Sequence, residues 1–229
     1  MAFLSLPNEI IIEVVECLDN QRHINSVIRV NRRLYNILKD SLLRYNIRFR
    51  GGSALIQAAR KGRLETVCEL LRLRANVNIK AGSVLGKTAL HIAAEKGFPT
   101  TAKLLLEAGA DPEVIGVQGQ KPLFTALVAG HEEIAGMIFN EMSSTDTSIA
   151  DSNLGETPLH VACRYKLPKA TRYFLEAGAD VNAKVSNGST PLQHVLGPDS
   201  IVRPGNILCD NLETALVPLE FGADPDLES

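Results

Sequence analysis

The chain has 229 residues, of which 45% are hydrophobic and 22% are charged, and its formal net charge at pH 7 is −2. These values are close to the average for folded globular proteins, so they exclude a wholly disordered chain. The charge balance gives no reason to expect a nucleic-acid partner, because even the most basic part, residues 1–50, carries eight Lys and Arg against five Asp and Glu.

The four cysteines, Cys17, Cys68, Cys163 and Cys209, lie far apart and form no C-x-x-C pair. We expect reduced, mostly buried thiols, and neither a disulfide framework nor a zinc site. No apolar run approaches the ~18 residues of a membrane span, and polar residues interrupt the apolar N-terminus, so it does not resemble a signal peptide. The sequence therefore predicts a soluble protein of the cytoplasm or nucleus with no membrane partner.

Residues 1–50 are predicted to form three short helices. Apolar residues in the first recur at the spacing of one helix face, at Ile10, Ile11, Val14, Val15 and Leu18. Asp19-Asn20 ends this helix, a second apolar set occupies residues 24–30, and a third helix follows from residue 31 to about residue 43.

This segment resembles an F-box of a type found in fungal proteins, through Leu6-Pro7-x-Glu9-Ile10, Leu18-Asp19 and Val30-Asn-Arg-Arg-Leu-Tyr35. The resemblance implies that the helices dock on a Skp1-like adaptor of a cullin-RING ubiquitin ligase. The residues that it assigns to this contact are Leu6, Pro7, Ile10, Val14, Leu18, Val30 and Tyr35. The alternative is that the helices only cover the apolar N-terminal end of the following repeats. Docking and capping are compatible with each other.

From residue 51 the chain repeats itself. Three segments align at once: Gly86-Lys-Thr-Ala-Leu-His-Ile-Ala-Ala94, Gly155-Glu-Thr-Pro-Leu-His-Val-Ala-Cys163 and Gly188-Ser-Thr-Pro-Leu-Gln-His-Val-Leu196. Weaker copies begin at Ser53 and Lys121. The position of the threonine recurs at residues 53, 88, 121, 157 and 190, with spacings of 35, 33, 36 and 33 residues.

A second motif closes the units, as Ala108-Gly-Ala-Asp-Pro112, Ala177-Gly-Ala-Asp-Val-Asn182, Phe221-Gly-Ala-Asp-Pro225 and the degenerate Arg74-Ala-Asn-Val-Asn78. Two motifs in phase at about 33 residues resemble the ankyrin repeat. The resemblance implies an all-α solenoid of about five helix pairs, on whose N-terminal end the F-box-like segment packs. We expect domains at 1–50 and 51–229, with repeats at about 51–80, 81–113, 114–150, 151–183 and 184–229.

Local chemistry supports this frame independently of the resemblance. Thr88, Thr157 and Thr190 are suited to cap helix N-termini through their hydroxyl oxygens. Proline follows two of them, in the first helical position, where its missing N–H is not needed. Gly109, Gly178 and Gly222 supply the left-handed residue with which a helix commonly ends. Each unit therefore reads as a helix, a turn, a second helix and a loop, and it buries its apolar face by stacking on its neighbours.

Three departures from the pattern are expected to alter the repeats locally. The third repeat lacks the closing motif and runs through a polar loop at residues 141–148. The fifth repeat contains eleven additional residues, which we place in a loop around Gly197-Pro198 and Pro204-Gly205. Pro218 falls within the last helix and is expected to kink or shorten it.

The sequence contains no recognisable catalytic constellation. His91 and His160 occupy the histidine of the repeat motif, His131 lies in an inter-helix turn, and His194 is shifted by one position, could face outward and has no evident partner. There is no metal-binding, phosphate-binding or nucleophile motif. We therefore expect no cofactor, no metal and no enzymatic activity, although residues distant in sequence could still form a groove for a small molecule.

A partner is expected on the concave face of the solenoid, which the inner helices and the inter-repeat loops form. The predicted contacts on the inner helices are Arg60, Lys61, Glu95, Lys96, Val128, Ala129, Arg164 and Tyr165. The loop between the second and third repeats adds Val114, Ile115 and Val117, which either bind a partner or pack on the adjacent loop.

Three functions follow. The first is a protein-interaction module that acts as the substrate receptor of a ubiquitin ligase, with Skp1 on the F-box-like segment and an unknown client protein on the concave face. The second is a stand-alone scaffold or inhibitor with a helical N-terminal cap. The third is a non-obvious enzyme or small-molecule binder that uses the groove.

Overall fold

A computed structural model describes residues 43, 44, 47, 53–82, 86–116, 119–142, 155–196 and 209–225. The predicted adaptor-contact residues Leu6, Pro7, Ile10, Val14, Leu18, Val30 and Tyr35 lie outside this part of the chain. So do Val117, residues 143–148 of the predicted polar loop and the loop around Gly197-Pro198.

The described residues form ten helices and no strand, as expected of an all-α fold. The helices are α1 (Ser53–Arg60), α2 (Leu64–Arg72), α3 (Ala89–Lys96), α4 (Pro99–Glu107), α5 (Pro122–Val128), α6 (Glu132–Asn140), α7 (Pro158–Arg164), α8 (Pro168–Glu176), α9 (Pro191–Leu196) and α10 (Cys209–Glu220). Within these ranges no helix is long and apolar enough to cross a membrane.

The helices stack in two layers. In the first layer α1, α3, α5, α7 and α9 contact one another in sequence, and in the second layer α2, α4, α6, α8 and α10 do the same. Each first-layer helix also packs on the second-layer helix that follows it in the chain. This is the architecture of a solenoid, in which every helix pair contacts only the pairs next to it.

The predicted helix starts are confirmed. The Thr88 and Thr157 hydroxyls accept hydrogen bonds from the backbone N–H of His91 and His160. Thr190 accepts a bond from the Gln193 N–H at 3.4 Å. The three threonines therefore stand at equivalent positions, where each satisfies an amide that the first helical turn leaves without a partner.

The predicted helix ends are confirmed as well. Gly109, Gly178 and Gly222 have φ values of +84°, +90° and +84°, in the left-handed region. Each of these glycines donates its N–H to a carbonyl in the last turn of the preceding helix, as Gly178 does to Leu175 at 3.0 Å. The chain thereby leaves the second-layer helix and returns towards the first layer.

A single apolar core runs between the layers. Its largest fully buried side chains include Phe124, Phe139 and Phe174. Phe139 on α6 meets Phe174 on α8 edge to face, with ring centroids 5.3 Å apart. At the N-terminal end, Leu43 and Ile47 are helical, partly buried and packed against this core. Residues that precede the first helix pair therefore cover some of its apolar surface.

Two details differ from expectation. Helix α10 continues through Pro218 to Glu220 and, with twelve residues, is the longest of the described helices. Cys68 is exposed, whereas Cys163 is buried, and burial raises the pKa of the Cys163 thiol to about 12. Cys68 is exposed because it lies between Val67 and Glu69 on a helix that buries only one face, with Val67 and Leu70 on the buried side.

Candidate protein-binding surface

The ends of the first-layer helices carry an aligned set of side chains. Arg60, Glu95, Val128 and Arg164 lie seven residues after the threonine position of the first four repeats, and Lys61, Lys96, Ala129 and Tyr165 lie one residue later. We call these eight residues the helix-end row. Seven of them are exposed and Glu95 is half-buried, although the helices to which they belong are otherwise mostly buried.

The chemistry of the helix-end row changes from repeat to repeat. It is basic at the first repeat, mixed at the second, apolar at the third and both basic and aromatic at the fourth. Val128 is 40% exposed and Tyr165 is 42% exposed, which places an apolar patch and an aromatic ring between charged groups. Such a surface combines apolar area for affinity with charges that orient a partner.

Ion pairs hold two of the row residues in place, and the two pairs have opposite polarity. In the second repeat Lys87 Nζ lies 2.6 Å from Glu95 Oε2. In the fourth repeat Glu156 pairs with Arg164, and these residues occupy the same two positions of the repeat. The row therefore presents a carboxylate at the second repeat and a guanidinium at the fourth on an otherwise equivalent framework.

The Lys87–Glu95 pair also affects titration. The hydrogen bond from Lys87 lowers the pKa of the Glu95 carboxyl, and the nearby positive charges of Lys96 and Arg60 act in the same direction. Glu95 is therefore ionised at neutral pH.

Glu156 is the most deeply buried charged residue near the row, at 2% exposure. Besides Arg164 it contacts His194 of the next repeat, with 3.4 Å between Glu156 Oε1 and His194 Nδ1. The rings of His194 and His160 meet edge to face at 5.3 Å. This cluster joins the fourth and fifth repeats beneath the row.

A proton on His194 would strengthen its contact with Glu156, but other interactions oppose it. Burial lowers the pKa of His194 to about 4, and its interactions with His160 and with the positive charge of Arg164 act in the same direction. At neutral pH the ring is therefore uncharged. The expectation that His194 faces outward without a partner is wrong, because the fifth repeat places it against Glu156.

The histidines of the repeat motif have structural roles. Nδ1 of His91 lies 2.8 Å from the Thr88 hydroxyl, and its Nε2 lies 3.1 Å from the Gln120 carbonyl oxygen in the following repeat. His160 repeats this arrangement with Thr157 and, in the following repeat, with the carbonyl oxygen of Ser189, which lies 3.3 Å from its Nε2. Burial lowers the pKa of both histidines, so both are neutral links between repeats.

The described part of the loop between the second and third repeats includes two of the predicted contact residues, Val114 and Ile115. Ile115 is 48% exposed and Val114 is partly buried. Lys80 in the preceding loop donates to the Ile115 carbonyl at 3.0 Å, and Asn78 accepts a bond from the Asp111 N–H at 2.8 Å. Hydrogen bonds thus connect the two loops, and of the described residues of the predicted apolar tip Ile115 is the more exposed.

Sequence analysis missed Lys87, Glu156 and His194. A signal for the first two was present, because a basic and an acidic residue recur eight positions apart in the second and fourth repeats, with their order reversed. No described group of three or more His, Cys, Asp or Glu side chains is arranged to hold a metal ion. The role of the predicted row residues in binding stays a prediction.

Comparison with known families agrees with this geometry. A family model described as ankyrin repeats (3 copies) matches residues 30–116 and 55–151, and one described as ankyrin repeats (many copies) matches residues 149–195. The chain is an ankyrin repeat protein. Membership of this family implies protein–protein interaction.

Similar curated proteins include much longer chains. Potassium channel AKT2/3 of Arabidopsis thaliana is 26% identical over 175 residues, which cover 73% of this ankyrin repeat protein and 21% of the channel. Neurogenic locus notch homolog protein 1 of Homo sapiens and of Xenopus tropicalis is 30% identical over 145 residues, covering 63% of this chain and 5% of the notch protein. Neither relative is named for an enzymatic activity.

Proposed function

We propose that this ankyrin repeat protein recognises a client protein with its helix-end row and delivers it to a ubiquitin ligase. The observation that carries client binding is the row itself. Seven of its eight side chains are exposed at equivalent helix ends, and their chemistry differs at each repeat. Packing does not require such variation, because these exposed side chains lie outside the buried core. A client with an acidic feature, an apolar feature and a second acidic feature in sequence would complement the row, because its first and fourth repeats are basic and its third is apolar.

The ligase part of the proposal rests on the N-terminal sequence. Leu6-Pro7-x-Glu9-Ile10 and the apolar positions Val14, Leu18, Val30 and Tyr35 match the F-box pattern that docks on Skp1. A receptor needs one segment for the adaptor and another for the client. In this chain the F-box pattern and the helix-end row are far apart in sequence.

Client binding is tested by comparative affinity purification of the full chain from its native cell, followed by mass spectrometry and by direct binding measurements with each purified candidate. Val128→Asp and Tyr165→Ser alter the row, whereas Lys103→Ala alters an exposed second-layer side chain and serves as the control. A client is a protein that binds the parent and the control directly and loses at least about tenfold in affinity with the row variants. If every direct interaction survives both row variants, the row is not the client site.

Adaptor binding is tested separately with purified Skp1. We expect the full chain to bind it and Ile10→Asp to abolish binding, since a buried charge opposes an apolar interface. The row variants should leave Skp1 binding unchanged. Failure of the folded chain to bind Skp1 removes the ligase assignment and leaves client recognition intact.

A second function, a scaffold whose N-terminal helices act as a cap, is favoured by the contacts of Leu43 and Ile47 with the core. Under this proposal, removal of residues 1–50 lowers the melting temperature of the repeats. An independent docking segment would leave the melting curve nearly unchanged. Loss of stability together with Skp1 binding would show that the segment performs both tasks.

A further inference from the structure

The last helix carries an apolar stripe that nothing covers in the described structure. Leu212, Leu216 and Leu219 of α10 are 44%, 46% and 43% exposed. Their spacing of four and three residues places them on one face of the helix. Leu196, at the end of α9, and Phe221, just after α10, are also exposed.

The opposite face of α10 is already used for packing. Thr214, Val217 and Pro218 are buried, and α10 contacts both α8 and α9. A helix with a polar outer side packs through one face only, whereas a helix that is apolar on two sides is normally covered on both. Helix α10 is apolar on two sides, and the described structure covers one of them.

Comparison with α8 shows which leucines are unusual. When the two helices are aligned on Gly178 and Gly222, Leu219 corresponds to Leu175, which is 6% exposed because α10 packs beside α8. Leu219 is therefore the ordinary leucine that faces the next repeat. Leu216 is different, because it stands where α8 has the exposed Arg172. Leu212 likewise replaces Pro168. Two of the three stripe leucines therefore stand where α8 carries a residue of another type.

Charge indicates what could cover the stripe. Residues 209–225 include Asp210, Glu213, Glu220 and Asp224 and no Lys or Arg. Glu213 and Glu220 are exposed and directly follow Leu212 and Leu219 in sequence. On the side of α8, Arg172 pairs with Glu220 at 2.8 Å, and Lys169 lines the same groove as Glu213. A symmetric contact between two copies would bring these acidic flanks together, which disfavours a second copy as the occupant.

We propose that α10 binds an amphipathic helix of a partner protein, which lays leucine-like side chains against Leu212, Leu216 and Leu219 and places Lys or Arg beside Glu213 and Glu220. This surface is separate from the helix-end row and does not depend on the client or adaptor proposals. It would give the chain a second docking point at its C-terminal end, where helix-in-groove recognition reads apolar anchors at helical spacing.

The test uses the full chain and two fluorescent model peptides. Both peptides have leucines at every third or fourth position of a helix, and one has lysine and the other glutamate at the flanking positions. We expect anisotropy titrations to show the lysine peptide binding at least about tenfold more tightly, with affinity falling as salt is added.

Two variants copy residues of α8 into α10 and probe each part of the proposal. Leu216→Arg gives α10 the residue that α8 has at the equivalent position, Arg172. This substitution should lower the affinity for the lysine peptide by at least about tenfold. Glu213→Lys gives α10 the residue that α8 has at the equivalent position, Lys169. This change of charge should shift the binding preference towards the glutamate peptide. Lys103→Ala, on the exposed side of α4, should leave both affinities unchanged.

Circular dichroism melting confirms that each variant is folded, and Leu212→Gln replaces Leu216→Arg if the latter is not. Equal affinity for both peptides, or binding that both stripe variants leave unaltered, would overturn the proposal. A parent chain that sedimentation shows to be a dimer, and that Leu216→Arg converts to a monomer, would assign the stripe to a second copy instead.

Discussion

Threonine hydroxyls serve two bonds at once in this protein. Each cap threonine of the second and fourth repeats accepts a backbone N–H, and each lies 2.8 Å from Nδ1 of the histidine three residues later. That histidine uses its other ring nitrogen to reach a carbonyl in the next repeat. A single hydroxyl thereby supports both the helix start and a link between repeats.

Thr157→Ala should lower the free energy of unfolding by about 1–2 kcal/mol, because the cap is lost and His160 loses a partner. The control is Thr214→Val. The Thr214 hydroxyl is buried and has no hydrogen-bond partner in the described structure, so its removal should be neutral or slightly stabilising. Urea unfolding measures both, and equal losses would contradict the assignment of the cap.

The two ion pairs of opposite polarity should differ in strength because their carboxylates differ in burial. Glu156→Gln leaves Arg164 without its buried partner and should cost about 1–3 kcal/mol. Glu95→Gln removes the half-exposed carboxylate of the equivalent pair and should cost at most about 1 kcal/mol. The comparison uses urea unfolding at neutral pH. A larger loss for Glu95→Gln would show that burial does not set the difference.

Acidification should destabilise the repeats before the carboxylates titrate. The pKa of His194 is lowered to about 4 in the folded chain, and those of His91 and His160 are lowered too, whereas an unfolded histidine titrates near about 6.5. Below that value the unfolded state binds more protons, so stability that is complete above about pH 6.5 falls as the pH approaches the folded-state pKa values.

His194→Gln should therefore lose less stability than the parent between about pH 7 and pH 5. The difference in the free energy of unfolding between parent and variant should change by up to about 1.4 kcal/mol per pH unit, the limit for one histidine. Urea unfolding across this range measures it. If the Glu156 contact dominated instead, the pKa of His194 would be raised, and the parent would gain stability relative to the variant on acidification.

At the scale of elements, packing between repeats constrains the loops as well as the helices. Gly116 is buried in the loop after the second repeat, and its N–H donates to the Gln120 carbonyl at 2.9 Å. A Cβ at this position would lie 2.7 Å from Nε2 of His91. The loop can therefore pass the histidine only without a side chain.

Gly116→Ala should lower the free energy of unfolding by about 1–3 kcal/mol, since the buried His91 ring must shift and weaken its bond to Gln120. Gly136→Ala is the matched control. Gly136 lies inside α6, and an added Cβ would meet no atom within 4 Å, so alanine should stabilise the helix by about 0.5–1 kcal/mol. Thermal melting shows whether the two shifts have opposite signs, as expected.

At the scale of the whole molecule, stability depends on interfaces between adjacent repeats because no helix pair has a core of its own. The contact between Phe139 and Phe174 joins the third and fourth repeats, and Tyr173 approaches Phe139 at 5.7 Å. These rings lie near the middle of the stack. Coupling between the N-terminal and C-terminal repeats passes through this interface.

Phe139→Ala should cost about 3–5 kcal/mol and should separate unfolding into two steps, because a weakened central interface lets each half unfold independently. Phe139→Leu keeps most of the apolar volume and should retain one transition. Far-UV circular dichroism reports both steps, and the fluorescence of the four tyrosines, of which Tyr165 and Tyr173 lie in the fourth repeat, provides a second probe. Coincident curves for Phe139→Ala would show that coupling does not depend on this contact.

The boundaries of the helices could be predicted from the sequence because local interactions determine them. The caps at Thr88 and Thr157, the prolines that begin helices and the left-handed Gly178 act through bonds that span a few residues, so each is recognisable without a folded structure. The alternation of helices and the family resemblance followed from these positions. The exposure of the helix-end row could be predicted in the same way, because its residues lie at fixed distances after the threonine position of each repeat.

Contacts between repeats could not be read in this way. Glu156 is buried and His194 neutral because the fifth repeat packs on the fourth, and Leu175 is covered while Leu219 is exposed because only the former has a following helix beside it. Burial is a property of the assembled stack: the same residue at the same repeat position is inside or outside according to its neighbours. The burial of Glu156 beside a neutral His194, and the exposure of the leucines on α10, are therefore set by the tertiary structure and not by the local sequence.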